Sequence, residues 1–167
     1  STDAGKTWKK LGLEKTQHIS RIQIHPTDPN TVYVAAQGAL HAPNEDRGIY
    51  KTIDGGLTWE KVLYVDTFTG AVELSMDMNF PEILYAAMWE HQRFPWQVKS
   101  GGPGSGLYKS TDAGKTWKKI HTGLPEEKGK MAISVSRANS NKVYALIESN
   151  TEKDFGGLFV SEDAGES

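Results

Sequence analysis

One octet is written four times along this chain, and that repetition constrains the fold more than any other feature. It stands as Ser1-Thr-Asp3-Ala-Gly5-Lys-Thr7-Trp8, as Thr52-Ile-Asp54-Gly-Gly56-Leu-Thr58-Trp59 and as Ser110-Thr-Asp112-Ala-Gly114-Lys-Thr116-Trp117. A shortened copy, Ser161-Glu-Asp163-Ala-Gly165-Glu-Ser167, closes the sequence, and residues 1–10 are identical to residues 110–119. Self-similarity at a period of about 50 residues marks stacked supersecondary units, each too small to bury its own apolar face. The octet reads as a tight turn between two strands. Its Asp accepts hydrogen bonds from amides a few residues on, its Gly supplies a positive φ, and its hydroxyls satisfy further loop amides. The register of the octets predicts that the chain begins and ends inside a repeat.

Aligning the copies gives the unit between octets. A tripeptide ending in an aromatic precedes each later octet: Gly48-Ile-Tyr50, Gly106-Leu-Tyr108 and Gly157-Leu-Phe159. Upstream lies a second aromatic anchor, Tyr33, Tyr85 or Tyr144, and before it an alternating run, clearest where Val72, Leu74, Met76 and Met78 interleave with Glu73, Ser75 and Asp77. Period two is a strand signal, and no window carries a helical stripe. The first complete unit predicts strands near 19–25, 31–37, 48–53 and 58–65. Four-stranded antiparallel meanders at this period describe β-propeller blades, so the expected class is all-β, an incomplete propeller of about three blade equivalents. The divisions are 1–17, the last strand of a preceding blade (near 7–12) with its octet; 18–69 and 70–129, two blades; and 130–167, a partial blade.

Composition fits a β-rich domain, with 17 Gly and 37% hydrophobic residues, and no apolar run approaches the roughly 18 residues that span a membrane. A net charge of −2 argues against a nucleic-acid footprint. With no cysteine there are no disulfides, thiol nucleophiles or thiolate metal sites. His18, His25, His41, His91 and His121 show no metal-ligand spacing, so neither a metal nor a cofactor is expected.

The octet resembles the Asp-box, or BNR repeat, of sialidases, xyloglucanases and sortilin-type propellers. Stretches such as Pro43-Asn-Glu-Asp-Arg-Gly48, Ala87-Met-Trp89 and Gly101-Gly-Pro-Gly-Ser-Gly106 extend the likeness to large bacterial Asp-box proteins related to the sortilin N-terminal domain. In that family the box is a structural turn remote from the active site. The resemblance therefore assigns Asp3, Gly5, Trp8, Asp54, Gly56, Trp59, Asp112, Gly114, Trp117, Asp163 and Gly165 to architecture. Members often carry Gly where this chain has Ala4 and Ala113. The resemblance also implies an extracellular or periplasmic setting. The Arg-Ile-Pro motif of true sialidases is absent from these residues.

Interval lengths indicate where ligands bind. Box Asp to the next anchor Tyr is nearly constant, whereas anchor Tyr to the next box Asp varies. The variation falls in the loops 38–48, 90–106 and 149–157, which together with the links 12–18, 65–70 and 121–130 share the face opposite the boxes. Variable loops on a rigid scaffold are the expected seat of binding. The two tryptophans outside the boxes are Trp96, in loop 90–106, and Trp89, just before it. Glu45, His91, Arg93 and Trp96 are the candidate ligand contacts, for a glycan or a peptide. The structural alternative is that Trp96 and Phe94 pin the loop to its blade. The charged residues of loop 38–48, Arg47 included, can equally pair with one another in water. Glycoside hydrolysis needs two carboxyls about 5 Å apart or 6.5–9.5 Å apart; Asp66 and Glu73 lie nearest the axis, but spacing selects no pair. Three functions stay open: a secreted binding propeller, part of a glycoside hydrolase, and a structural or assembly module. The partners expected in addition to ligand are the remaining blades of a longer chain or a second copy joined head to tail.

Overall fold

The alternating runs form three antiparallel sheets in a computed structural model that describes residues 1–150 and 155–167. The first sheet is a meander of β1 (Ile19–Ile24), β2 (Val32–Ala36), β3 (Gly48–Thr52) and β4 (Glu60–Leu63). The second contains β5 (Thr69–Met76), β6 (Leu84–Arg93), β8 (Gly106–Ser110) and β9 (Lys118–Ile120), with the short β7 (Val98–Ser100) paired to the far end of β6. The third consists of β10 (Met131–Val135), β11 (Val143–Asn150) and β12 (Phe155–Ser161). There is no helix among the described residues, hence none long and apolar enough to cross a membrane. These are blades of an incomplete β-propeller. Loop 149–157, expected to carry variable chemistry, lies partly outside the described residues.

Successive side chains point to opposite faces, so β2 and the first part of β6, apolar at consecutive positions, give their sheets two apolar faces, and both are used where a neighbour exists. Tyr33, Ala35, Ile49 and Leu63 of the first sheet close on Leu74, Met76, Leu84, Ala86 and Met88 of the second. The opposite face of the second sheet, with Tyr85, Ala87, Trp89 and Leu107, closes on Met131, Ile133, Val135 and Val143 of the third. The first strands of the sheets, β1, β5 and β10, lie side by side. Polar side chains stitch these inner edges together. Ser20 Oγ donates to Ala71 O (2.8 Å), Gln23 Nε2 to Leu74 O (3.1 Å), and Ser75 Oγ accepts from Val135 N (3.1 Å). A strand edge otherwise exposes unpaired backbone groups.

The octets supply the other junction, on the opposite end from the long loops. In each, the Asp carboxylate accepts from the backbone N–H and hydroxyl four residues on; for Asp54 these are Thr58 N (2.9 Å) and Thr58 Oγ1 (2.6 Å). The residue after each Asp is left-handed, with φ of 55°, 70°, 60° and 61° at Ala4, Gly55, Ala113 and Ala164. In three copies the N–H of that residue bonds the first hairpin turn of its own sheet, as Gly55 to Asn30 O, Ala113 to Glu82 O and Ala164 to Asn141 O. Its carbonyl serves the preceding sheet: Tyr33 Oη donates to Ala113 O and Tyr85 Oη to Ala164 O, both at 2.9 Å.

One expectation requires correction. No strand forms over 7–12; a fourth strand needs a third strand beside it, and the described residues supply none there. Leu11 and Leu13 pack instead around Trp59 and Gly56. Of the box tryptophans, Trp59 and Trp117 are half-buried against the core clusters and Trp8 is 81% exposed.

A left-handed conformation costs an L-residue about 1–2 kcal/mol, against about 0.5–1 kcal/mol of chain entropy lost by glycine. Ala113→Gly should therefore stabilise the fold by about 0.5 kcal/mol, and Gly55→Ala should destabilise it by a similar amount, as read by urea unfolding. The carboxylates make a separate prediction. Hydrogen bonds from Thr7 and Thr116 hold Asp3 and Asp112 down at about 2, from an ordinary 3.8, and Asp54 and Asp163 are lowered in the same direction by Thr52 and Ser167. Folded values below unfolded ones give stability that is present above pH 3.8 and lost as pH falls towards 2. The midpoint of thermal unfolding should drop over that window, and Asp54→Asn with Asp112→Asn should flatten the drop.

Candidate functional site

The end opposite the boxes is built from residues 38–47, 66–69, 90–105 and 121–130. Its most prominent element is a hairpin. β6 continues past its last pairing with β8, Met88 opposite Gly106, and then pairs with β7 through His91–Ser100, Gln92–Lys99 and Arg93–Val98. Phe94-Pro95-Trp96-Gln97 turns the corner, with Phe94 N donating to Gln97 O at 2.8 Å. Proline presets the second turn position. At the tip Phe94 and Trp96 stack, their centroids 5.7 Å apart and their planes at 18°.

Trp96 is 76% exposed and therefore does not pin the loop. That task falls to the backbone, where Arg93 N donates to Leu40 O at 2.9 Å and Arg93 O meets His41 Nδ1 at 3.2 Å. Arg93 is exposed on the same hairpin as Trp96. Glu45 is exposed on loop 38–48, where its carbonyl accepts from the Lys61 ammonium.

His91 lies elsewhere. It is 2% exposed, stacked on Trp89 at 4.2 Å and 13°, with its Nδ1 3.2 Å from Trp89 O and its Nε2 3.3 Å from Gln37 Nε2. The ring is part of the floor, and enclosure removes it from the set that touches a ligand. Burial pushes its pKa below the ordinary 6.5, and the nearby Arg47 pushes the same way.

Arg47 is the centre of that floor and was misplaced by the sequence, where it reads as one more solvated charge. It is fully buried, and Gly38 leaves it room: a side chain at 38 would come within 2.4 Å of Arg47 Cγ. Its guanidinium donates to the carbonyls of Phe68 (3.0 Å), Ala39 (2.5 Å) and Ala42 (3.3 Å), tying loop 38–42 to the link before β5. Among the described residues no carboxylate is bonded to it, and burial lowers its pKa.

Glu90 is the second group that spacing did not single out. Its carboxylate, nearly enclosed, accepts from Lys99 Nζ (2.8 Å) and Gly104 N (3.0 Å). The glycine tract wraps it closely. A Cβ on Gly102 would lie 2.3 Å from that carboxylate, and one on Gly104 would lie 2.0 Å from Thr69 Oγ1. The Gly-rich run is thus a place of close approach. Beside it a groove of about 400 Å³ runs between Ser100–Pro103 and Glu126–Lys128.

The two candidate catalytic carboxyls are each bound into structure. Asp66 caps its own turn, accepting from Phe68 N and Thr69 N (both 2.8 Å) and Thr69 Oγ1 (3.0 Å). Glu73, in the middle of β5, takes a two-pronged hydrogen bond from Arg21 of β1 at 2.5 and 2.7 Å. One sits in a link and the other on an inner strand. Among the described residues no group of three His, Asp or Glu is placed to hold a metal ion.

Trp96→Ala should change stability by less than about 0.5 kcal/mol, as surface substitutions do. Arg47→Met should cost about 2–4 kcal/mol, because it leaves three carbonyls without their donor. Chemical denaturation of both variants tests this division of the face into a bound floor and a free tip.

Comparison with known proteins supplies relatives. The model of the Sortilin-Vps10 family (sortilin, neurotensin receptor 3) matches residues 1–123. A xyloglucanase of Acetivibrio thermocellus is 30% identical over 112 residues, which are 62% of this chain and 12% of that protein. Among solved structures, an ancestral GH74 enzyme superposes over 98% of this chain and 20% of its own, with TM-score 0.69 and 15% identity. The GH74 xyloglucanase from Xanthomonas campestris covers 89% of this chain and 20% of its own (TM-score 0.66, 18% identity). YCF48 from Cyanidioschyzon merolae covers 96% of this chain and 41% of its own (TM-score 0.57, 20% identity). The chain thus spans about an eighth of the curated relative and a fifth of the two enzymes.

Proposed function

The chain belongs to the Sortilin-Vps10 family, and from that premise we propose that it is the glycan-binding part of a secreted, polysaccharide-acting β-propeller. The observation that carries the reading is the exposed Trp96 ring, stacked on a half-buried Phe94 at the tip of a hairpin anchored by backbone bonds. Flat aromatic faces bury the apolar face of a sugar ring at little entropic cost, since each ring has only two side-chain torsions to fix. Arg93 and Lys99 on the same hairpin, with the adjoining groove at 100–103 and 126–128, provide the few convergent polar groups that orient a ligand. A neutral β-glucan of the kind the xyloglucanase relatives are named for is the preferred ligand class.

Binding, rather than cleavage, is assigned to these residues because Asp66 and Glu73 are each engaged in structural hydrogen bonds. Titration calorimetry with xyloglucan oligosaccharides tests the proposal. Trp96→Ala should weaken binding at least about tenfold, equivalent to about 1.4 kcal/mol, with unchanged circular dichroism. Equal affinity of the variant and the parent, or selection of peptides over glycans on an array, would overturn it. Release of reducing ends by the chain would show that cleavage resides here too.

A further inference from the structure

The junction between neighbouring sheets is built twice in this chain, and the two copies place their charges differently. Between the second and third sheets, Lys109 lies 5.9 Å over the Tyr85 ring and pairs at 2.8 Å with Glu166, the residue after the box glycine. Glu166 also stands 3.6 Å from Lys118. Between the first and second sheets the corresponding lysine is Lys51, 5.3 Å over the Tyr33 ring. Here the residue after the box glycine is Lys115, and Glu60 takes the place of Lys118. Lys51 falls back on a main-chain acceptor: its Nζ donates to Ala113 O at 2.9 Å, a carbonyl that Tyr33 Oη engages at the same distance. Among the described residues no ion pair engages Lys51, Glu60 or the exposed Lys115.

Both lysines line an open groove of about 430 Å³ between the second and third boxes, at the end opposite the Phe94–Trp96 hairpin. Ile53 and Val62 give it apolar walls, with Glu60 beside them. Its two sides come from sheets that each have their fourth strand, β4 and β9. β4 is the outermost strand of its sheet and borders the groove from Glu60 to Val62, so an unpaired strand edge runs along it. Burial lowers the pKa of Lys51, and Lys115 pushes the same way, against Glu60 and Asp112.

We propose that this groove docks an extended segment of an acidic protein partner, with one carboxylate set between Lys51 and Lys115 as Glu166 is set between Lys109 and Lys118. The Lys61 ammonium is drawn away to Glu45 O, so Lys51 and Lys115 against Glu60 leave the walls a single positive charge in excess. That balance matches one carboxylate and disfavours a phosphate dianion or a polyanion. The groove is also too large for a lone carboxylate. The β4 edge offers main-chain hydrogen bonds, and Ile53 and Val62 offer apolar contact, both of which a peptide strand uses. When Lys51 turns to the incoming carboxylate, Ala113 O keeps its bond from Tyr33, and docking strips no carbonyl of its donor.

The test is a titration of the isotope-labelled chain, followed by amide chemical shifts. The probe is a pool of blocked pentapeptides with neutral residues around a fixed central Glu. Saturable shifts are expected at Lys51, Glu60, Val62 and Lys115, and a pool with central Gln should bind at least about threefold more weakly. Lys115→Glu gives this junction the carboxylate that Glu166 supplies to the other. It should pair with Lys51 and shut out the Glu-centred pool while leaving the circular dichroism unchanged. Equal binding of the two pools, binding that survives Lys115→Glu, or no shifts along the groove would overturn the proposal. So would sodium acetate binding as tightly as the Glu-centred pool, which would make this a site for small anions only.

Discussion

The hydrogen bond from the tyrosine on a sheet's second strand to the carbonyl of the next sheet's left-handed box residue is the interaction on which the arrangement of the sheets depends. That residue can serve two masters only because it is left-handed. Its N–H reaches back to the first hairpin turn of its own sheet, and its carbonyl points across to Tyr33 or Tyr85. The box Asp holds the turn in that shape by accepting the N–H and hydroxyl four residues on. A backbone conformation unfavourable for alanine thus persists because hydrogen bonds on both sides over-determine it.

Much of this was legible in the sequence. The strands of the first sheet fall at 19–24, 32–36, 48–52 and 60–63, close to where alternation and the aromatic anchors put them. Those signals are strong because each strand has a partner a few residues away. Residues 7–12 carry the same letters as β9 and remain irregular, since a strand pattern states what a segment can pair as and not whether a partner is beside it. β7 was missed for the opposite reason: three residues, Val98–Ser100, are too short a run for period two to register.

The end that carries the long loops was only partly legible. Trp96 and Arg93 emerge exposed on one hairpin, as loop length and aromatic content suggested for that face. Arg47 and Glu90 were not singled out because a charged residue in a loop is ordinarily solvated. The signals that could have found them are the glycines beside them, Gly38 and the 101–106 tract, each placed where a Cβ would collide with the enclosed side chain. The histidine that looked like a ligand group is instead a buried ring stacked beneath the surface, held between Trp89 and Gln37.

Several of the polar stitches between sheets end on main-chain acceptors: Ser20 on Ala71 O, Gln23 on Leu74 O, Tyr33 on Ala113 O and Tyr85 on Ala164 O. A carbonyl is offered by every residue, so the receiving sheet need not match the donor in side-chain identity. Only the donor side chain and the backbone shape of the receiver are specified. Such joints tolerate gene duplication and the later divergence of the copies, because a new repeat inserted anywhere in the series brings its own acceptors. The identity of residues 1–10 with 110–119, alongside wide divergence elsewhere, is what that freedom permits.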